Sequence, residues 1–238
     1  MALLYLIRHG QASFGEKNYD LLSDTGIEQS RALGDFFLQS DIKFDSVYSG
    51  SMERQIDTAK YSLKEKGLFD GDININEGLN EYDHMALLNI AIPYFKENFS
   101  DFPEDLSKLA SDRKKFQFFF SIMVEKWIEG VFSDSGLLSY EEYSKQVISS
   151  LENIIINENS KKKVALFTSG GVISVVCGYA LGLSPFQAVQ IGWGINNCSI
   201  SSFMSGQNKE GNMKLNLKVF NSIAHLEIKN KKEFITYR

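Results

Sequence analysis

Short apolar runs alternating with helix-periodic stretches constrain the fold of this chain more than any other feature of its sequence. Leu3 to Ile7 reads as a buried strand, Ser46 to Ser49 as a second, Ile73 to Ile75 as a third and Val164 to Thr168 as a fourth. After the first, Leu22-Ser23-Asp24-Thr25-Gly26 opens a helix that Ser23 is placed to cap. Ala32, Leu33, Phe36 and Phe37 then share one helical face. After the second, Ser51 is placed to cap a helix carrying Met52, Ile56, Ala59 and Leu63, which Gly67 stops. After the fourth, Ser169-Gly170-Gly171 leads directly into a helix through Leu181. Repeated strand-then-helix units give parallel strands joined by crossover helices. The expected fold is therefore α/β, a three-layer α/β/α sandwich around a mostly parallel sheet.

Residues from about 83 to 139 break this rhythm. The stretch is aromatic and helical in pattern, with Phe116, Phe118 to Phe120 and Trp127, and with Pro93 and Pro103 as punctuation. It reads as a helical insertion over the ligand edge of the sheet, within one domain spanning residues 1–238. Ser139-Tyr140-Glu141-Glu142 is a capping box that restarts the main fold. Behind it, Tyr140, Tyr143, Val147, Leu151 and Ile154 form a core-facing helical stripe.

Composition narrows the function classes. A formal net charge of −5 argues against a nucleic-acid surface. The first apolar run is too short for a membrane span and lacks the basic flank of a secretory leader, so a cytoplasmic protein without membrane attachment is expected. Cys177 and Cys198 have neither redox nor zinc spacing and read as buried apolar residues. Nothing in the sequence implies a cofactor or a metal site, and oligomeric state is not readable.

The chemistry-bearing residues lie at strand ends, where open α/β sheets bind ligands. Arg8-His9-Gly10 follows the first strand, Arg54 follows the second, Glu81 the third, and Ser169-Gly170-Gly171 the fourth. Arginine is scarce here: Arg8, Arg31, Arg54, Arg113 and Arg238 are all there are. Two of the five stand where a phosphate site would need them, since a guanidinium holds phosphate bidentately. An imidazole beside them can act as nucleophile or proton carrier. Helix N-termini following Gly50-Ser51 and Ser169-Gly170 add amides suited to an anion.

These residues also carry a family resemblance. Leu6-Ile7-Arg8-His9-Gly10-Gln11-Ala12, with Leu22-Ser23, Gly26 and Gln29-Ser30 behind it, resembles the opening of the histidine phosphatase superfamily, the phosphoglycerate-mutase-like proteins. Tyr48-Ser49-Gly50-Ser51, Arg54 and Asp57-Thr58-Ala59 resemble its second arginine block, and Leu79-Asn80-Glu81 its acid-bearing segment. Asn196 with Ser199-Ile200, and Asn221-Ser222 with Ala224-His225-Leu226, resemble its closing segments. The resemblance implies that His9 attacks phosphorus to form a phosphohistidine. Arg8 and Arg54 would neutralise the phosphoryl oxygens, with Ser169, Gly170 and Gln11 binding phosphate, and Glu81 would protonate the leaving alcohol. No metal is implied.

The departures from the pattern matter as much. Where the family usually has a second histidine after the fourth strand, this chain has Ser169, a hydroxyl that cannot carry positive charge. Ser13-Phe14-Gly15 stands where an asparagine is common. His84, three residues beyond Glu81, could compensate or could be an exposed loop histidine, while His225 reads as structural. Three functions are compatible with this pattern. The first is a phosphatase acting on a phosphorylated small molecule or phosphoprotein, the second a catalytically weakened phosphate-ester-binding protein, and the third, least favoured, a mutase.

Overall fold

The computed structural model describes residues 1–13, 20–103, 105, 109, 112–158 and 162–237. Its sheet has six strands: β1 Leu3–Arg8, β2 Ser46–Ser49, β3 Ile73–Ile75, β4 Lys163–Thr168, β5 Ile200–Gln207 and β6 Met213–Ser222. They lie in the order β3-β2-β4-β1-β5-β6. The pairs β2–β3, β2–β4 and β1–β4 are parallel, and β1–β5 and β5–β6 are antiparallel. The sheet is thus mixed: the parallel part is the one expected, and the closing antiparallel pair was not placed from the sequence. Eight helices flank it among the described residues, giving an α/β fold.

The order of the sheet follows from burial. In β4, Val164, Ala165, Leu166 and Phe167 are all fully buried, as are Leu4, Leu6 and Ile7 of β1. A strand apolar on both faces is stable only in the middle of a covered sheet, and β4 and β1 are the two central strands. On one face Ile7, Val47, Ala165 and Phe167 pack with Leu33 and Phe37 of α1 (Asp24–Gln39). Ala59 of α2 (Glu53–Ala59) and Leu63 complete that cluster. Each fully buried Leu or Phe side chain stabilises the fold by roughly 1.5–3 kcal/mol.

Local signals hold with two exceptions. Ser23 caps α1, its hydroxyl accepting from the Gly26 amide. Ser139 and Glu142 form the reciprocal capping box ahead of the helix Tyr140–Asn157. Ser51 does not cap α2, which begins two residues later. Its amide and hydroxyl instead bond the Asn80 side-chain amide at 2.8 Å each, tying the β2 loop to the segment before Glu81. Pro93 does not punctuate: it lies inside the helix His84–Asn98, where buried Leu87, Ala91 and Phe95 hold one face through the missing N–H. Beyond α2 the chain widens into a π turn over Lys60–Lys64 before Gly67.

The described residues divide into two compact units, Met1–Glu81 with Gln146–Arg238, and Tyr82–Lys145. The larger holds the sheet. The smaller has a core of its own, in which the Phe95, Phe102 and Phe119 rings meet at 4.8–5.2 Å between centroids. Trp127 packs there on Tyr82, Tyr140 and Tyr143, its indole N–H donating to the Leu138 carbonyl. No helix of the described residues is long and apolar enough to cross a membrane. Both cysteines are buried, and burial pushes each thiol up to about 12.

His225 is structural, as expected. It is buried beside Phe36, hydrogen-bonded to the Cys198 backbone, and its imidazole pKa is pushed down to about 4 by burial. The unfolded chain, with a histidine near 6.5, therefore takes up the proton first. Its stabilising contribution is full above about pH 6.5 and is lost as pH falls towards 4, by about 2 kcal/mol between pH 7 and pH 5. Urea midpoints at those two pH values should differ less in His225→Phe than in the wild type; an unchanged difference would contradict this account.

Candidate active site

The parallel strands bring four chain segments to one sheet edge at matched register. Arg8 pairs with Thr168, Ser49 with Phe167, and Ser49 with Ile75. The residues just beyond these positions are His9, Gly50, Asn76 and Ser169. Strand-end chemistry read from the sequence is thus collected at one edge by the topology.

His9 is only 5% exposed and is held through its backbone and its ring. Its amide donates to the Thr168 carbonyl and its carbonyl accepts from Asn197 Nδ2. Nδ1 lies 2.7 Å from the Gly10 carbonyl oxygen. A carbonyl can only accept, so Nδ1 carries the proton and Nε2 carries the lone pair. Arg54 Nε approaches that Nε2 at 3.2 Å. Burial first, then the Arg54 and Arg8 guanidiniums, hold the imidazole pKa well below its usual value. The ring is neutral, in one tautomer, with its unprotonated nitrogen facing a cation.

The two arginines are fixed differently. Arg8 donates from Nη1 to the carbonyls of Ile195 and Tyr237. Gly170 stands beside its guanidinium, at a distance where even a Cβ would make only ordinary contact. Arg54, 5% exposed, donates to Asp20 Oδ1 at 2.6 Å and to Met52 Sδ. Asp20 also accepts from the Glu53 amide. Asp20 was not anticipated; it precedes a capped helix with nothing local to mark it, and only the fold sets it against Arg54.

Ser169 is fully buried, and Gln55 Nε2 donates to its hydroxyl at 2.8 Å. Glu81 accepts from the Gly171 amide at 3.1 Å, at the N-terminus of the helix Gly170–Leu181. The Gln11 side-chain oxygen accepts from the Ser23 hydroxyl, and its backbone N–H donates to the Gln29 side-chain oxygen. At the glycine of Arg8-His9-Gly10 a Cβ would run into the Gly26 carbonyl, so the chain there approaches α1 closely. Thr58 receives the Gly10 amide and donates to the Arg54 carbonyl, linking the two blocks. His84 opens the helix His84–Asn98 in the smaller unit. Phe14 and Gly15, at the second departure from the family pattern, lie outside the described residues. Among the described residues no three His, Cys, Asp or Glu side chains come together as a metal site.

Known proteins are similar to this chain in sequence and in fold. The 2,3-bisphosphoglycerate-dependent phosphoglycerate mutase of Parvibaculum lavamentivorans is 34% identical over 91 residues, covering 36% of this chain and 43% of that protein. The chain thus matches less than half the length of the curated relatives. Among solved structures, a phosphoserine phosphatase variant from Entamoeba histolytica in complex with phosphoserine has a TM-score of 0.62 at 21% identity, over 95% of this chain and all of that one. A mycobacterial glucosyl-3-phosphoglycerate phosphatase gives 0.62 at 18% identity, over 92% of this chain and 98% of that one. Phosphoglycerate mutase from Bacillus anthracis gives 0.64 at 16% identity, over 97% of each chain. Residues 4–217 match the family model of the histidine phosphatase superfamily (branch 1), and the chain belongs to that superfamily.

Proposed function

We propose that this protein is a metal-independent phosphatase that hydrolyses a small phosphate monoester through a phosphohistidine on His9. The observation that carries the reading is the tautomer of His9: Nδ1–H on the Gly10 carbonyl, Nε2 unprotonated, the ring kept neutral by burial and two guanidiniums. A neutral imidazole with its lone pair aimed into a cationic site is a nucleophile for phosphorus. Phosphatases acting on phosphoserine and on glucosyl-3-phosphoglycerate share the fold and support a small monoester as substrate.

The reaction then follows from the groups at the edge. The phosphoryl dianion takes over hydrogen bonds that Arg54 makes to His9 and Asp20 in the free protein, which releases Nε2 for in-line attack. Arg8 and Arg54 balance the charge on the phosphoryl oxygens. As the P–O bond breaks, Glu81 acts as general acid and gives a proton to the leaving alcohol. Glu81, now a carboxylate, takes a proton from water as that water attacks phosphorus. The P–N bond breaks, Nε2 recovers its lone pair and phosphate leaves.

Quenched turnover of p-nitrophenyl phosphate should trap acid-labile phosphate on the wild-type chain and none on His9→Ala, whose rate should fall by about 10³ or more. Arg54→Lys, with charge but no fork, should still lose at least about tenfold. Normal phosphate binding without labelling would favour the binding-only reading, which the neutral Ser169 also permits; dependence on a bisphosphate primer would favour the mutase reading.

The role read from the sequence for His84, to stand in for the histidine that Ser169 replaces, is tested by mutation. His84→Ala should lower turnover, and Ser169→His added to it should restore part of the loss. Full activity in His84→Ala would remove His84 from the mechanism.

A further inference from the structure

Gln55 pairs with Ser169, and the phosphatase scheme gives that glutamine no role. Both are fully buried, and they come from the β4 end and from α2, 114 residues apart. Gln55 Nε2 lies 2.8 Å from Ser169 Oγ and 3.1 Å from the Leu79 carbonyl oxygen. The carbonyl can only accept, so the amide nitrogen faces it, and this fixes the orientation of the Gln55 amide. Its second N–H therefore points at Ser169, whose oxygen accepts.

A hydroxyl that accepts from an amide still has its own proton to give. Ser169 makes no capping bond to its helix, so among the described residues that proton has no acceptor. Ser169 follows Thr168, whose carbonyl holds the His9 amide, so the residue stands at the strand edge that also carries His9.

The other end of Gln55 argues that this arrangement has a use. Gln55 Oε1 is buried with no partner, packed where any side chain at Gly50 would collide with it. An unsatisfied buried acceptor is destabilising, so an apolar residue would serve the core better. The Leu79 carbonyl does not need the glutamine either, because Thr168 Oγ1 donates to it at 2.6 Å. What only Gln55 supplies is the donor to Ser169.

We propose that Gln55 is a positioning residue that turns the Ser169 hydroxyl outward, so that it donates to an oxygen of the bound phosphoryl group. The proposal rests on the reading of this edge as a phosphoryl site. It gives the neutral serine the donor role at a place where a cation is not available.

The test is a double-mutant cycle read by calorimetric binding of inorganic phosphate, which does not require turnover. Ser169→Ala and Gln55→Leu should each weaken phosphate about tenfold, and the double variant no more than either alone. The serine hydroxyl is thus worth tenfold beside glutamine and nothing beside leucine. Thr168 keeps the Leu79 carbonyl bonded in both variants; should Gln55→Leu fail to fold, Gln55→Met replaces it in the cycle. Additive losses, or unchanged phosphate affinity in the Gln55 variant, would overturn the positioning role alone and leave the phosphatase reading intact. A wild-type chain that binds no phosphate would overturn both.

Discussion

The hydrogen bond from His9 Nδ1 to the carbonyl of its neighbour Gly10 is the interaction on which the site depends. It takes one proton out of play and leaves the lone pair on Nε2. The rest of the surroundings then keeps that nitrogen unprotonated, since a charged imidazole would be buried beside two guanidiniums. A group this constrained is costly to build. It is stabilised from behind, where Thr168, Asn197, Cys198 and Thr58 satisfy the backbone of Arg8-His9-Gly10 from three separate parts of the chain.

Those supports explain why the closing segments of the chain matter to a site that begins at its eighth residue. Antiparallel β5 brings Asn197 and Cys198 against the turn, and Asn221, in a left-handed conformation, bonds the Asn196 amide and the Gly194 carbonyl. The Asp20 carboxylate on Arg54 has the opposite character. It is partly exposed, and it occupies a guanidinium that a phosphoryl group would need. It keeps the buried guanidinium charge paired.

Much of this was legible in the residues. The parallel strands, the Ser23 cap and the Ser139 capping box follow from local rules, and strand-end placement alone collects Arg8, His9, Arg54, Glu81 and Ser169. The β5–β6 pair was not, because its serine-rich and exposed-edge pattern lacks the apolar run that marks β4. Ser51 misleads for a related reason. A serine before a helix is normally a cap, but Asn80 offers it two hydrogen bonds from 29 residues away. Asp20 and Gln55 are invisible for the same cause: their partners are distant in sequence, and nothing periodic marks them.

The account stands or falls on which atom meets phosphorus. A crystal structure with vanadate bound measures this directly. It should show vanadium bonded to Nε2 of His9, Nδ1 still on the Gly10 carbonyl, and Arg54 turned from Asp20 to the vanadate oxygens. Vanadate bound away from His9, or bonded through Nδ1 with the Gly10 contact broken, would contradict it.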